Sequence, residues 1–281
     1  MNWLFYALLC AFFYGIEAVY LKYLHKKGIE ENTLICAMFL YALPLLFIPA
    51  SIHGFREVKS VFWIVLVFVA VGNGLGFYFY SKAIKNTDVS LAAPVLSISP
   101  LVVVFFSWIF LMELPPAKGF AGMLCIVIGL AFLTAGSQGL NIVEFIKNRG
   151  VKFALITVLI WGIVASIDKV ALGYSAPMVY PFISASAISA VYLFFAKVSL
   201  KNIFRKETFG LFACLGFINA GLFLTHMLAL NTGYVSYVIA IKRSGVLISI
   251  IVGKFIFKEK QSGLRAIASL FILLGLYFLS G

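Results

Sequence analysis

Apolar stretches of about 18 to 24 residues follow one another along this chain with hardly a polar interval between them. Each is long enough to cross roughly 30 Å of hydrocarbon as a helix, which rises about 1.5 Å per residue. In lipid every backbone N–H and C=O must be paired inside the protein, so only helices and closed barrels span. Barrel strands are shorter and alternate in polarity, and these stretches do neither. The sequence predicts an all-α integral membrane protein with ten transmembrane helices, at about 3–22, 33–50, 61–84, 89–112, 119–137, 151–170, 177–196, 208–231, 235–257 and 263–280. With 63% hydrophobic and only 11% charged residues, the 281-residue chain lacks the polar surface that a water-soluble fold of this size needs.

The connections between spans run from a few residues to about a dozen, and none has room for a soluble catalytic domain. The formal net charge of +12 sits on basic residues scattered between apolar runs. That is the pattern of loop charges orienting a membrane protein, not of a nucleic-acid surface. Sixteen Lys and Arg lie near the loops after the odd-numbered spans and four on the opposite side. The positive-inside rule then puts both termini outside the cytoplasm, with the cytoplasmic membrane of a prokaryote as the expected location. Cys10, Cys36, Cys125 and Cys214 all lie within apolar runs and form no CxxC pair, so they read as small core hydrophobes. No metal site, cofactor site or enzyme motif emerges: there is no phosphate-binding loop, no HExxH and no nucleophile elbow.

The chain also repeats itself. At an offset of 147, ALLCAFFYGIEAVYLK (7–22) lies on ALITVLIWGIVASIDK (154–169), matching Ala7/Ala154, Gly15/Gly162, Ala18/Ala165 and Lys22/Lys169. At an offset of 146, Asn73 meets Asn219, Val89-Ser90 meets Val235-Ser236, Glu113 meets Glu259 and Gly129-Leu130 meets Gly275-Leu276. The copy of the first span in mid-chain argues that this span is retained and is not a cleaved signal. The expected organisation is one five-helix repeat over 1–139, a linker loop over 140–150 and a second five-helix repeat over 151–281. Five is odd, so the second copy enters the membrane upside down. Inverted repeats are a device of secondary transporters, yielding two near-equivalent states open to opposite sides.

Lys242 and Arg243 lie about seven residues into the ninth span, roughly 10 Å from its nearer end. Adjacent helical residues point about 100° apart, so both cannot snorkel, and at least one should face a polar cavity. They bind an anionic group, Arg as a planar fork and Lys as a point charge, or they pair with acids and carbonyls for structure alone. Gly245, Ser249 and Gly253 follow as a small-residue stripe suited to close helix packing. The equivalent positions in the first half are Leu96 and Ser97, so the cationic pair exists in one repeat only.

Asn73 and Tyr80 are seven apart, and the repeat sets Asn219 and His226 in the same places. Seven residues make two turns, so each pair shares a helix face, suited either to a cavity between the halves or to hydrogen bonds between helices. His226 reads as a substrate ligand or as a packed histidine. Glu17 reads as a counter-charge, a proton carrier or a locally paired carboxylate. Asp168 and Lys169 read as a self-neutralising pair at the interface, and Glu113 and Glu259 as structural acids favoured by a helix N-terminus. Pro94 and Pro100 suggest a kinked or broken fourth span, and Tyr41, Tyr78 and Tyr80 offer aromatic walls.

The five-plus-five duplication, YGIEA (14–18) and WGIVA (161–165) opening the halves, and a Glu before each last helix resemble the drug/metabolite transporter superfamily, most closely its EamA branch. The resemblance covers the whole chain and implies alternating access around a central cavity. AIKRSG (240–245) is also similar to the Lys-Arg pair of triose-phosphate and nucleotide-sugar transporters, where that pair holds substrate phosphate. This implies a phosphate- or carboxylate-binding role for Lys242 and Arg243. Those relatives add lysines from other helices, for which Lys22 and Lys169 are the candidates here.

The expected function is therefore secondary transport of a small anionic or zwitterionic metabolite, coupled to a proton or a counter-substrate. Its partners are that solute and the bilayer, without nucleic acid, in a monomer or a homodimer. Two rivals remain: an exporter of amino acids or neutral, drug-like solutes with a purely structural cationic pair, and a membrane enzyme or lipid-handling protein acting on a phosphorylated headgroup.

Overall fold

The structure, a computed structural model, describes residues 2–55, 58–86, 95–96, 98–135, 148–249, 252 and 264–280. Among these residues there are eleven helices and no strand. Those of the first half are α1 (Asn2–Lys26), α2 (Glu31–His53), α3 (Ser60–Asn86), α4 (Ser99–Leu111) and α5 (Ala117–Ala135). Those of the second are α6 (Arg149–Leu172), α7 (Tyr180–Phe194), α8 (Leu200–Ile203), α9 (Lys206–Thr232), α10 (Val235–Ser244) and α11 (Leu264–Ser280). All but α8, a single turn between α7 and α9, correspond to predicted spans. By length and composition α1, α2, α3, α6 and α9 can cross a membrane, and α4, α5, α7 and α11 contain shorter apolar helices.

Local chemistry sets several boundaries. The Asn148 side chain caps α6, accepting from the N–H groups of Gly150 (2.8 Å) and Val151 (3.3 Å). Gly28, at φ +76°, turns the chain between α1 and α2, a conformation glycine adopts without penalty. Pro100 marks the start of the described fourth-span helix and not a kink inside it, and the rest of the expected kink or break falls outside the described residues. The proline lies in the first turn of α4, where its missing N–H has no helical partner to lose. Pro94, Val89, Ser90, Ser97, Gly253 and Glu259 lie outside the described residues.

The halves interleave. The principal contacts run between them, and they are symmetric under exchange of the repeats: α1 on α9 as α3 on α6, α2 on α9 as α3 on α7, and α1 on α10 as α4 on α6. The self-matching pairs are α2 with α7, α4 with α10 and α5 with α11. Symmetry persists at single residues. A Cβ on Gly15 would strike Ile248 of the ninth span, and one on its repeat-mate Gly162 would strike Val102, the residue 146 positions before Ile248.

Burial is inverted relative to a water-soluble protein. The outer faces carry exposed Phe5, Ile64, Phe68 and Leu273, suited to lipid. Buried polar and charged side chains, Glu17, Asp168, Asn219, His226 and Arg243 among them, sit inside the bundle.

Candidate substrate site

One cavity, about 990 Å³ of atom-free space counted out to its mouth, lies between the halves. Seven of the residues singled out above line it: Glu17, Asn73, Tyr80, Asn219, His226, Lys242 and Arg243. The two polar helix faces converge as the repeat demands, Asn73 and Tyr80 from α3 and Asn219 and His226 from α9.

Tight packing of α1 against α10 positions the cationic pair. Helix α10 stops at Ser244, where Gly245 N–H reaches back to Lys242 O at 3.1 Å, and helical geometry resumes over 246–249. The predicted span of 235–257 thus tightens locally at Gly245, two residues past Arg243, while its backbone stays in the right-handed helical region (φ −56°, ψ −17°). Gly15 and Gly245 let the two backbones touch, and Ser249 donates to Gly15 O at 2.9 Å. The described part of the expected small-residue stripe, Gly245 and Ser249, is therefore a packing surface. Ser236, buried, does not reach the cavity.

Arg243, 6% exposed, donates through Nε to Ser99 Oγ (2.9 Å) and through Nη1 to the Tyr14 hydroxyl (2.5 Å). Its guanidinium carbon lies over the rings of Tyr14 (5.4 Å) and Trp161 (5.5 Å), and Lys242 Nζ lies 5.8 Å from the Tyr14 ring centre. Tyr14 and Trp161 are repeat-mates, the first residues of YGIEA and WGIVA. Gly76 of α3 makes room for the Trp161 indole, whose ring nitrogen a Cβ there would strike.

No ion pair joins either cation to a carboxylate among the described residues. The partners of Arg243 are neutral hydroxyls. A hydroxyl that accepts from Arg243 still has its own proton to donate. Tyr14, Ser99, Lys242 and the spare guanidinium N–H groups thus form a cluster of donors to which no carboxylate is ion-paired among the described residues. Glu17 adjoins the Asn219 side chain and lies within electrostatic reach of Lys242. Asn219 Oδ1 and His226 Nε2 are buried without a hydrogen-bond partner among the described residues.

Four expectations need correction. Asp168 and Lys169 do not neutralise each other: adjacent on α6, they diverge, and Asp168 enters the cavity and accepts a hydrogen bond from the Tyr180 hydroxyl. Lys169 instead pairs with Glu113 and donates to Gly233 O at 2.7 Å. Glu113 does serve a helix N-terminus, though not that of the following helix: it accepts from Val235 N–H (3.2 Å) at the start of α10, in the other repeat. Neither Lys22 nor Lys169 lines the cavity. Of the three expected aromatic walls only Tyr80 lines it, since Tyr78 is 42% exposed and Tyr41 packs with Phe204, Phe209 and Phe212.

The Glu113 clamp carries its own prediction. Glu113→Ala leaves Lys169 without its anion and Val235 N–H uncapped, and should cost about 2–3 kcal/mol of stability. Glu113→Gln, whose amide oxygen can still cap Val235, should cost less. Thermal unfolding in detergent reads both.

The sequence model of the EamA-like transporter family matches residues 1–135 and 148–281, once over each half. A solved structure described only as "Crystal structure of protein" is similar to this chain, with a TM-score of 0.73 and 20% identity over 97% of this chain and 95% of the other. That identity supports the fold alone. A search of curated proteins found no match. A family match to both halves, on an all-helical bundle whose polar cavity lies between them, shows that this chain is a multi-pass membrane transporter and belongs to the EamA-like transporter family.

Proposed function

We propose that the chain is a secondary transporter that moves a small anionic or zwitterionic metabolite by alternating access around this cavity, with Lys242 and Arg243 holding the anionic group. What carries the reading is the absence of any ion pair to those two cations among the described residues, although Arg243 is buried. A buried charge surrounded by neutral donors is costly, and an anionic ligand relieves that cost. Asn73, Tyr80, Asn219 and His226 complete the polar lining, and Glu17 balances Lys242. The repeats extend over 1–139 and 151–281, joined by 140–150. The Lys and Arg bias sets both termini outside the cytoplasm of a prokaryotic cell.

The test is the double variant Lys242→Gln/Arg243→Gln, purified and reconstituted into vesicles alongside the wild type. Uptake is measured with a panel of labelled carboxylated and phosphorylated metabolites. Solutes moved by the wild type should fall to background in the variant, which should still elute as a single folded species. Undiminished transport by the double variant would falsify the assignment. Product formation in detergent from a phosphorylated headgroup, with no compartment present, would favour the lipid-handling alternative.

A further inference from the structure

Asp168 is the charge in the cavity that nothing above explains. Its side chain is 4% exposed, its hydrogen-bond partner is the neutral hydroxyl of the fully buried Tyr180, and it makes no ion pair. The adjacent cation, Lys169, is occupied by Glu113. Lys242 lies within electrostatic reach of Asp168 but does not pair with it. A buried carboxylate with one neutral partner calls for a cation just as Arg243 calls for an anion.

The two unsatisfied charges are carried by different helices of the cavity lining, Arg243 by α10 and Asp168 by α6. Trp161, against which the Arg243 guanidinium lies, and Asp168 are seven residues apart on α6, two turns on one face, and both line the cavity. At 1.5 Å per residue, the backbone positions of Trp161, which faces the anion-seeking group, and of Asp168 are about 10 Å apart along α6. Glu17 belongs with the anion-seeking group: it stands one turn from Tyr14 on α1, beside Asn219 and near Lys242.

The net charge points the same way. With His226 counted neutral, the charged residues of the cavity are Glu17 and Asp168 against Lys242 and Arg243. A dianion would leave this balanced, low-dielectric space with two excess negative charges, and a diamine with two excess positive charges. A zwitterion leaves it neutral and satisfies both groups.

We infer that the substrate is an elongated zwitterion, its anionic group on Lys242 and Arg243 and its ammonium on Asp168, with Tyr180 orienting the Asp168 carboxylate. This rests on the anion-site reading above and adds the opposite pole and a length. A compound whose charges are separated by only one carbon cannot reach both groups.

The test uses the full-length protein in detergent and thermal shift with 6-aminohexanoate, adipate, 1,6-diaminohexane and glycine. The first should raise the melting temperature most. Asp168→Asn keeps an oxygen to accept from Tyr180 and should weaken 6-aminohexanoate at least tenfold, bringing it level with adipate. Tyr180→Phe keeps the carboxylate and should weaken it less. Adipate binding tighter than 6-aminohexanoate, or glycine binding as tightly, overturns the inference. So does no shift with 6-aminohexanoate, or an Asp168→Asn protein that binds it like wild type. In those cases loss of adipate binding in Arg243→Gln leaves the anion site standing. Adipate binding that is unaffected in Arg243→Gln removes the anion site itself.

Discussion

Gly245→Ala should deprive the protein of most of its folded yield, although alanine is the better helix former by about 1 kcal/mol. A Cβ at Gly245 would fall on the carbonyl oxygen of Ala11, and one at Gly15 on the carbonyl oxygen of Gly245. An overlap with the tip of a flexible side chain is relieved by a rotamer change. Here the obstacle is backbone on both sides, so α1 and α10 must part. Overpacking of this kind costs about 1–3 kcal/mol, and a rigid obstacle belongs at the upper end. Parting the helices also draws Arg243 from Tyr14 and breaks the hydrogen bond from Ser249 to Gly15, so packing and site fail together. Gly210→Ala is the control: a Cβ there meets nothing within 4 Å, and the variant should melt at or above the wild type. Size-exclusion profiles and thermal unfolding of both variants check this. A Gly245→Ala protein that melts with the wild type would show that the contact can open freely.

The long spans were legible because hydrophobic length is set by bilayer thickness, a constraint independent of packing. Their interruptions were legible only in part, since Pro94 and Pro100 signalled an irregular fourth span without locating where its helix begins. The end of α10 at Ser244 follows from where α1 touches Gly245, and the first-turn place of Pro100 follows from where α4 begins; neither is encoded in a run of apolar residues. Within the site, Lys242 and Arg243 stood out by their depth in an apolar span, and Asn73, Tyr80, Asn219 and His226 by their agreement between repeats.

Asp168 was hidden by its neighbour, since an adjacent lysine looks like a ready partner until helix geometry sends the two side chains apart. Tyr14 and Trp161 were concealed differently. In a chain with 16% aromatic residues a single ring carries little information. The usable signal was that these two are repeat-mates, and it became meaningful only once both rings were found against one guanidinium. The partnership of Glu113 with Val235 crosses between the halves, and spacing along the chain does not reveal it.

Arg243→Lys should keep the protein folded and the charge in place, yet weaken binding of the anionic group proposed above by ten- to a hundredfold, about 1.4–2.8 kcal/mol. The guanidinium uses its shape in three ways. One edge donates from Nε to Ser99 and from Nη1 to Tyr14, two directions fixed within one plane. Its face lies against Tyr14 and Trp161. What remains of the fork is directed by those contacts. An ammonium satisfies one of these demands at a time, and it leaves Ser99 or Tyr14 without the donor that orients its hydroxyl. The anion then meets donors that must first be ordered, and the cost appears as affinity. Lys242, which has no comparable set of hydrogen bonds, should tolerate Lys242→Arg better. Equilibrium binding and counterflow for the two conservative variants separate shape from charge. Equal losses would mean that the pair acts as two point charges, and only a steeper loss at Arg243 is compatible with a preorganised fork.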